Sequence, residues 1–377
     1  MKQIGLFLFV CLLCTACSAG KRLNVAVTNH SSLDRTEEIV EIPWTKVSQT
    51  LTLTDEIQII VVDETGKQLP YQLIKNGGKE IRSIIFPATV AAGKTVVYSI
   101  KEGIPEQFEA KVYGRFVPER KDDFAWENNT SAFRMYGPAL EATGEISNGI
   151  DLWVKKTDKL VIDKWYKNDL AGVASYHEDH GEGLDFYKVG RTLGLGGSAP
   201  FVNDTIWLGN NFTKYEIVDK GPLRITFRLF YAPFEVDGKP VTETRTISLD
   251  ANSRFNKIVE HFDTDIPSMK IASGIVLRPE EGGSIEYDRQ KGYAAYAEPK
   301  VENGIIYVGV VSPVTFREIE NACGHLLCLN EYKKGDQYTY YAGGSWDQAG
   351  FLTPDDWFSY VKDFAVRVQQ PLKVTIE

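Results

Sequence analysis

Between Leu223 and Tyr231 apolar and polar residues alternate strictly. Leu223, Ile225, Phe227, Leu229 and Tyr231 fall on one face, and Arg224, Thr226, Arg228 and Phe230 on the other. A period of two predicts a strand with one buried face. The pattern recurs in Val241–Leu249, Phe255–Phe262, Ile271–Leu277 and Ile305–Val311. Long strands joined by turns predict a large two-layer antiparallel β-sandwich. Nearer the start the runs are shorter: Leu23–Val27, Glu38–Ile42, Glu56–Val62, Leu69–Leu73, Arg82–Phe86 and Thr95–Ile100, separated by turn segments such as Asn76-Gly77-Gly78 and Ala92-Gly93-Lys94. They contain no helical period of ten residues or more and predict a small β-sandwich over residues 21–105, with the larger unit over 106–377. The expected fold class is therefore all-β.

A single helix is predicted, near the end. Thr353 stands at the N-cap, Pro354 at the first helical position and Asp355 and Asp356 in the first turn, ahead of an apolar stripe of Trp357, Tyr360, Val361 and Phe364. The stretch from Lys111 to Pro200 follows neither period, is rich in aromatics and glycines, and predicts long functional loops. Its closing run, Gly190 to Pro200, contains Gly194-Leu195-Gly196-Gly197 but no flanking strand and helix, and is read as a glycine loop rather than a dinucleotide site.

The chain has 377 residues, ample for two modules, and 43% of them are hydrophobic. Its net charge of −9, with Lys and Arg dispersed among carboxylates, argues against a nucleic-acid partner. Residues 1–17 look like an address: Met1-Lys2-Gln3, an apolar run from Ile4 to Leu13, and a small residue before Cys17. The pattern resembles a bacterial lipoprotein signal that would make Cys17 the lipidated first residue and tie the protein to a membrane at the periplasm or outer membrane. Cys14 replaces the leucine usual three places earlier, which leaves ordinary secretory cleavage open. Cys323 and Cys328 are the two cysteines beyond this segment. A local disulfide around Gly324-His325-Leu326-Leu327 is the plain expectation for an exported chain; a zinc site there lacks a second ligand pair.

Candidate chemistry concentrates in two blocks. Tyr176 to Tyr187 holds His177, Glu178, Asp179, His180, Glu182 and Asp185 among glycines. Asp122 to Pro138 holds Trp126, Glu127, Asn128, Arg134 and Tyr136. His, Arg, carboxylate and aromatic side chains together are the set that handles sugars. Trp126, Glu127, Asn128, Asp185, Tyr187, Arg191 and Trp346 are the expected substrate-binding residues, the tryptophans by stacking on pyranose faces. Trp165 and Trp207 are further candidates, with at least half of these tryptophans expected in the core. No cofactor is expected. His177 and His180 with Asp179, Glu182 or Asp185 would offer zinc or calcium ligands, but Gly181 and Gly183 make the segment a loop rather than a helix that aligns them. A solvated polar loop is the bland alternative, and His261 and His30 read as a sheet and a turn histidine.

The strand order around Gly221-Pro222-Leu223-Arg224 and Thr244 to Leu249 resembles the galactose-mutarotase-type supersandwich. The segments Asp122 to Asn128, Ala132 to Leu140, Lys164-Trp165-Tyr166 and Tyr176 to Gly183 resemble the secreted family called domain of unknown function 4861. That resemblance covers nearly the whole chain beyond the leader. It implies a carbohydrate substrate, in the setting of uronic-acid polysaccharide breakdown, notably of pectin, and transfers no established catalytic residue. Asn129 stands where the family pattern has Asp. Lyase-type β-elimination is the leading expectation: Arg134 or Arg191 would neutralise the substrate carboxylate, His177 or His180 would take the α-proton, and Tyr136, Tyr176 or Tyr187 would protonate the leaving oxygen. A glycoside hydrolase using Glu127, Glu178, Glu182 or Asp185, a mutarotase or epimerase pairing His177 with Glu178 or Glu182, and a non-catalytic carbohydrate-binding lipoprotein are the alternatives.

Overall fold

The computed structural model describes residues 21–51 and 58–376. Cys17 and the leader lie outside the described residues. The predicted strands form in antiparallel sheets, with two corrections: the run Leu69–Leu73 divides into Gln68–Leu69 and Gln72–Ile74 on different sheets, and Glu56–Val62 is a strand over Ile59–Val62, its residues 56 and 57 lying outside the described residues. In the N-terminal module one sheet contains Arg22–Thr28, Thr95–Glu102, Ile59–Val62 and Gln68–Leu69, and a second contains Arg35–Pro43, Ser83–Val90 and Gln72–Ile74. Val25, Ile42, Phe86 and Ile100 meet between them, and a short helix, α1 (Trp44–Leu51), adds Val47 and Leu51 to that core. The last strand, Lys373–Ile376, returns to pair with Arg22–Thr28. The small module is thus made from both ends of the chain, beyond the 21–105 boundary.

The main body is a sandwich around a nine-stranded sheet that includes Arg224–Tyr231, Lys239–Asp250, Phe255–Thr264, Tyr338–Trp346 and Ile306–Val311. The alternation read from Leu223 to Tyr231 sets its inner face: Ile225, Phe227 and Leu229 are fully buried, while Arg224 and Arg228 remain partly exposed. A five-stranded sheet centred on Ser268–Val276 and His325–Lys333 packs against part of it. Over the rest lies another five-stranded sheet, Val112–Val117, Asp123–Asn128, Ser131–Met135, Asp151–Lys155 and Gly183–Leu184.

That last sheet corrects the expectation of irregular loops over 111–200 for residues 112–155, while 171–182 and 185–193 are irregular as expected. The strands are only two to six residues long and too polar on one face to show a clean period. The glycine run is corrected as well: Leu195–Val202 is a strand, entered through Gly194, whose φ of +59° and contact with the Ile150 carbonyl leave no room for a side chain. Among the described residues three further α-helices join the predicted one. They are α1, the single turn α2 (Pro138–Glu141) and α3 (Ile162–Leu170), each too short to be seen above the loop background. The predicted helix is α4 (Pro354–Gln369). Its capping box is present, with the Thr353 hydroxyl accepting from the Asp356 N–H and the Asp356 carboxylate accepting from the Thr353 N–H, and Trp357, Phe358 and Val361 pack on Phe255 and Tyr307.

The disulfide expectation fails: both thiols are free, Cys323 exposed at a turn and Cys328 buried in the neighbouring strand. His325 is structural. Its Nδ1 bonds the Cys323 carbonyl at 2.7 Å and its Nε2 accepts the Leu193 N–H at 3.1 Å, while burial lowers its basicity. Under native conditions Cys323 is expected to react fully with a maleimide and Cys328 only after unfolding, with no change in melting temperature on adding reductant. A mass spectrum showing the two linked would reverse this assignment.

Candidate functional site

On the strand Asp123–Asn128 alternate side chains divide between two environments. Phe124 and Trp126 face the main core; Asp123, Ala125 and Glu127 face outward, under α3 and the segment leading to Gly183. The neighbouring strands continue that outer face with Ala132, Arg134, Asp151, Trp153 and Lys155. Arg134 and Asp151 are cross-strand partners in the register. Covered by Trp165, Tyr166 and Tyr176, this face becomes a buried charged cluster rather than a wet surface.

Arg134 is its centre. Nε donates to Asp151 Oδ2 at 2.8 Å and Nη2 to Asp185 Oδ2 at 2.9 Å, with Asp123 Oδ2 at 3.9 Å. The Tyr136 hydroxyl donates to Asp151 Oδ2 at 3.0 Å and lies 3.4 Å from Arg134 Nη2. Aromatic rings close the cluster: the guanidinium stands 5.0 Å from the Tyr136 centroid and 5.2 Å from that of Trp153, itself stacked between Trp165 and Tyr176. Arg120 reaches in from the far side through Tyr176, 3.1 Å from its hydroxyl. Burial pushes the Asp185 carboxyl well above the usual range, helped by the neighbouring Asp151, and pushes Tyr136 upward too, so at neutral pH its phenol keeps its proton.

Asp123 supplies a test of this electrostatics. Burial outweighs Arg134 and Arg120 and raises its carboxyl to about 6 from 3.8. A group that holds its proton more tightly folded than unfolded stabilises the fold below the unfolded value, and that contribution is lost as the pH rises through about 6. Asp123→Asn is therefore expected to remove on the order of 2 kcal/mol from the stability lost between pH 4 and 6.5, read from denaturant midpoints. Identical pH slopes for the variant and the native chain would contradict the assignment.

The cluster reaches open space at Tyr136. A cavity of about 280 Å³ is bounded by Tyr136, Glu145, Ser147 and Arg191. Glu145 and Arg191 are exposed, and among the described residues neither side chain has an ion-pair partner. Beneath Ser147, the buried Asn148 approaches a second charged group in the main core, where Arg245 lies between Glu243 (2.7 Å) and Glu260 (2.8 Å) and burial pushes the Glu260 carboxyl up to about 8.

The expected residues separate accordingly. Arg134, Tyr136 and Asp185 meet; Arg191 joins them through the cavity. His177 touches the cluster from outside, with Nδ1 at 2.9 Å from the Asp185 carbonyl and 3.6 Å from its carboxylate, and it does not line the cavity. His180 bonds the Ser175 carbonyl and faces solvent, Glu178 is exposed, and Glu182 is held by Lys164 at 2.7 Å. Among the described residues no group of three His, Cys, Asp or Glu side chains is placed to hold a metal ion. Tyr187 is buried beneath Arg278.

The stacking role expected of Trp126 and Trp346 is corrected, since both are core. Trp126 donates to Asn256 at 2.7 Å and Trp346, on a strand rather than a loop, to the Asn303 carbonyl at 2.8 Å, leaving no free ring face. Glu127 and Asn128 are structural as well. The Glu127 carboxylate pairs with Lys155 at 2.7 Å and accepts the Val161 and Ile162 N–H groups, supplying from another strand the cap that Val161, at the N-cap of α3, has no side chain to make. Asn128 ties the Asp250 and Ser253 carbonyls. Asp151 and Glu145 went unrecognised in the sequence. A carboxylate two residues before Trp153 in Asp151-Leu152-Trp153-Val154-Lys155, against an apolar Leu152 and Val154, was the available signal for Asp151; Glu145 carried none.

The family designated domain of unknown function (DUF4861) matches residues 27–374. The chain belongs to this family. Uncharacterized protein P7 of Formosa agariphila is 34% identical over 285 residues, 70% of either chain. Among solved structures, this DUF4861 chain is similar to an alpha-mannosidase from Enterococcus faecalis V583, at 10% identity and a TM-score of 0.48, and to a glycosyl hydrolase family 38 protein from Enterococcus faecalis, at 11% and 0.45. Both superpositions take in 94% of this chain, which spans about half the length of either protein, 46% and 47%.

Proposed function

We propose that this DUF4861 protein cleaves an acidic oligosaccharide by β-elimination in the cavity at Tyr136. The observation that carries the reading is that an arginine and a carboxylate without ion-pair partners among the described residues border one cavity with a half-buried, neutral tyrosine. Those are the three roles elimination next to a uronate carboxylate requires. Arg191 neutralises that carboxylate, which makes the neighbouring carbon acid. Glu145 takes the α-proton; as the C=C bond forms, the C–O bond to the leaving sugar breaks and its oxygen receives the Tyr136 proton. The phenolate left behind sits beside Arg134 and regains its proton from Glu145 through water.

Of the two arginines expected to recognise the carboxylate, this division of labour takes Arg191, because Arg134 is already committed to Asp151 and Asp185. His177 then acts as a positioning residue for Asp185 rather than as the base. The resemblance to a family associated with uronic-acid polysaccharides supports the substrate class. Purified protein offered pectin, alginate and glycosaminoglycan fragments is expected to produce the absorbance of a new C=C bond together with reducing ends. Reducing ends without the double bond would identify a hydrolase instead, and silence in both channels would remove catalysis at this cavity.

A further inference from the structure

A second and larger cavity, about 520 Å³, lies between the N-terminal module, the outer face of the nine-stranded sheet and α4. Its floor is built by the polar half of the alternating pattern, Thr226, Thr246 and Ser248, and one wall by Tyr341, Tyr360 and Phe364. Hydroxyls beside aromatic rings suit a pyranose, which presents hydroxyls at its edge and C–H groups on its face.

The charges decide what kind of sugar. Every carboxylate in the lining is already engaged: Glu37 with Lys111 at 3.2 Å, Glu38 with Arg35 at 2.9 Å, Glu41 and Asp250 with Arg224. Asp219 accepts the N–H groups of Lys75 and Asn76 at 2.7 and 2.9 Å. Three cations in the same lining are not engaged. Arg82, Lys257 and Arg367 have no side-chain hydrogen bond or ion pair among the described residues, and Arg367 Nε is buried without a partner. Arg82, Lys257 and Arg367 are thus three cationic groups in the lining with no partner of their own, free to pair with carboxylate or sulfate groups on whatever enters.

We propose that this cleft is a binding site for an anionic saccharide, carrying carboxylate or sulfate groups, distinct from the cavity at Tyr136 and able to hold a chain while another segment reacts. Binding is read by calorimetry on the full-length Tyr136→Phe protein, in which turnover is expected to be slowed, using oligogalacturonate, a sulfated oligosaccharide and a neutral glucan of equal length. One or both anionic ligands are expected to bind and the neutral one not to, and the arm that binds identifies the anion. Arg82→Ala/Lys257→Ala/Arg367→Ala is expected to weaken that binding at least about tenfold, as is Tyr341→Ala. The Arg82→Ala/Lys257→Ala pair, both exposed, gives the same direction without touching α4. Failure of every anionic ligand to bind, equal binding of the neutral glucan, or binding abolished by Arg191→Ala but indifferent to the three cations would overturn the proposal. Each of these is separate from the absence of turnover, which bears only on the Tyr136 cavity.

Discussion

Arg134→Met is expected to be the most destabilising substitution in the outer sheet. It removes the one group that Asp151 and Asp185 share and leaves two buried carboxylates, with Asp123 nearby, without their counter-charge. Breaking a buried pair costs about 3–5 kcal/mol because the surviving charge cannot be resolvated. Protonation of Asp185, already favoured by burial, relieves part of that, so the loss belongs at the upper part of this range above neutral pH and at the lower part near pH 5. At roughly 2 °C per kcal/mol for a chain this long, the melting temperature should fall by about 6–10 °C at neutral pH. Arg134→Lys should fall between, since one ammonium cannot span both carboxylates as the guanidinium fork does. Thermal scans at pH 5 and 8 read both effects. A fall of less than 2 °C at both would mean that the cluster is hydrated and not a buried ionic core.

Tyr136→Phe is expected to do the opposite, leaving the fold nearly intact and abolishing the chemistry. The hydroxyl donates to Asp151 and accepts a long bond from Arg134 at 3.4 Å, together worth about 1–2 kcal/mol, and the ring stays where it is. If Tyr136 delivers the proton to the leaving oxygen, its loss should lower kcat by about 10²- to 10⁴-fold with KM little changed. Arg191→Ala, by contrast, should raise KM for uronate substrates, because its partner is present in the bound substrate as well as in the transition state. His177→Ala should keep most of the activity. Retention of full turnover by Tyr136→Phe, with His177→Ala inactive, would return the proton transfer to the histidine loop.

That contrast shows how much of the site was legible. The His-rich loop is conspicuous as a string of titratable residues, yet its histidines end on backbone carbonyls at the rim. Glu145, which borders the cavity, sits in an unremarkable stretch between Gly144 and Ile146. A list of residue types records which chemistry is available; it does not record which side chains share a cavity. The tryptophans make the same point from the other side. Trp126 lies in a polar block that looks like surface, and the alternation of Asp123, Ala125 and Glu127 against Phe124 and Trp126 becomes meaningful only once both faces of that sheet are known to be covered.

By itself the sequence determined the local and periodic features: the long strands of the main sheet, the short strands of the N-terminal module, the capped helix at Thr353 and the all-β class. These follow from side-chain period, turn chemistry and capping, which act over a few residues and need no partner to be read. Only the tertiary structure decided that residues 112–155 pair into a sheet, that residues 373–376 close the first module, that Glu127 serves the start of α3, and that Tyr136, Glu145 and Arg191 border one cavity. Each of those depends on contacts between residues distant along the chain, where burial changes what a charge costs and which partner can repay it.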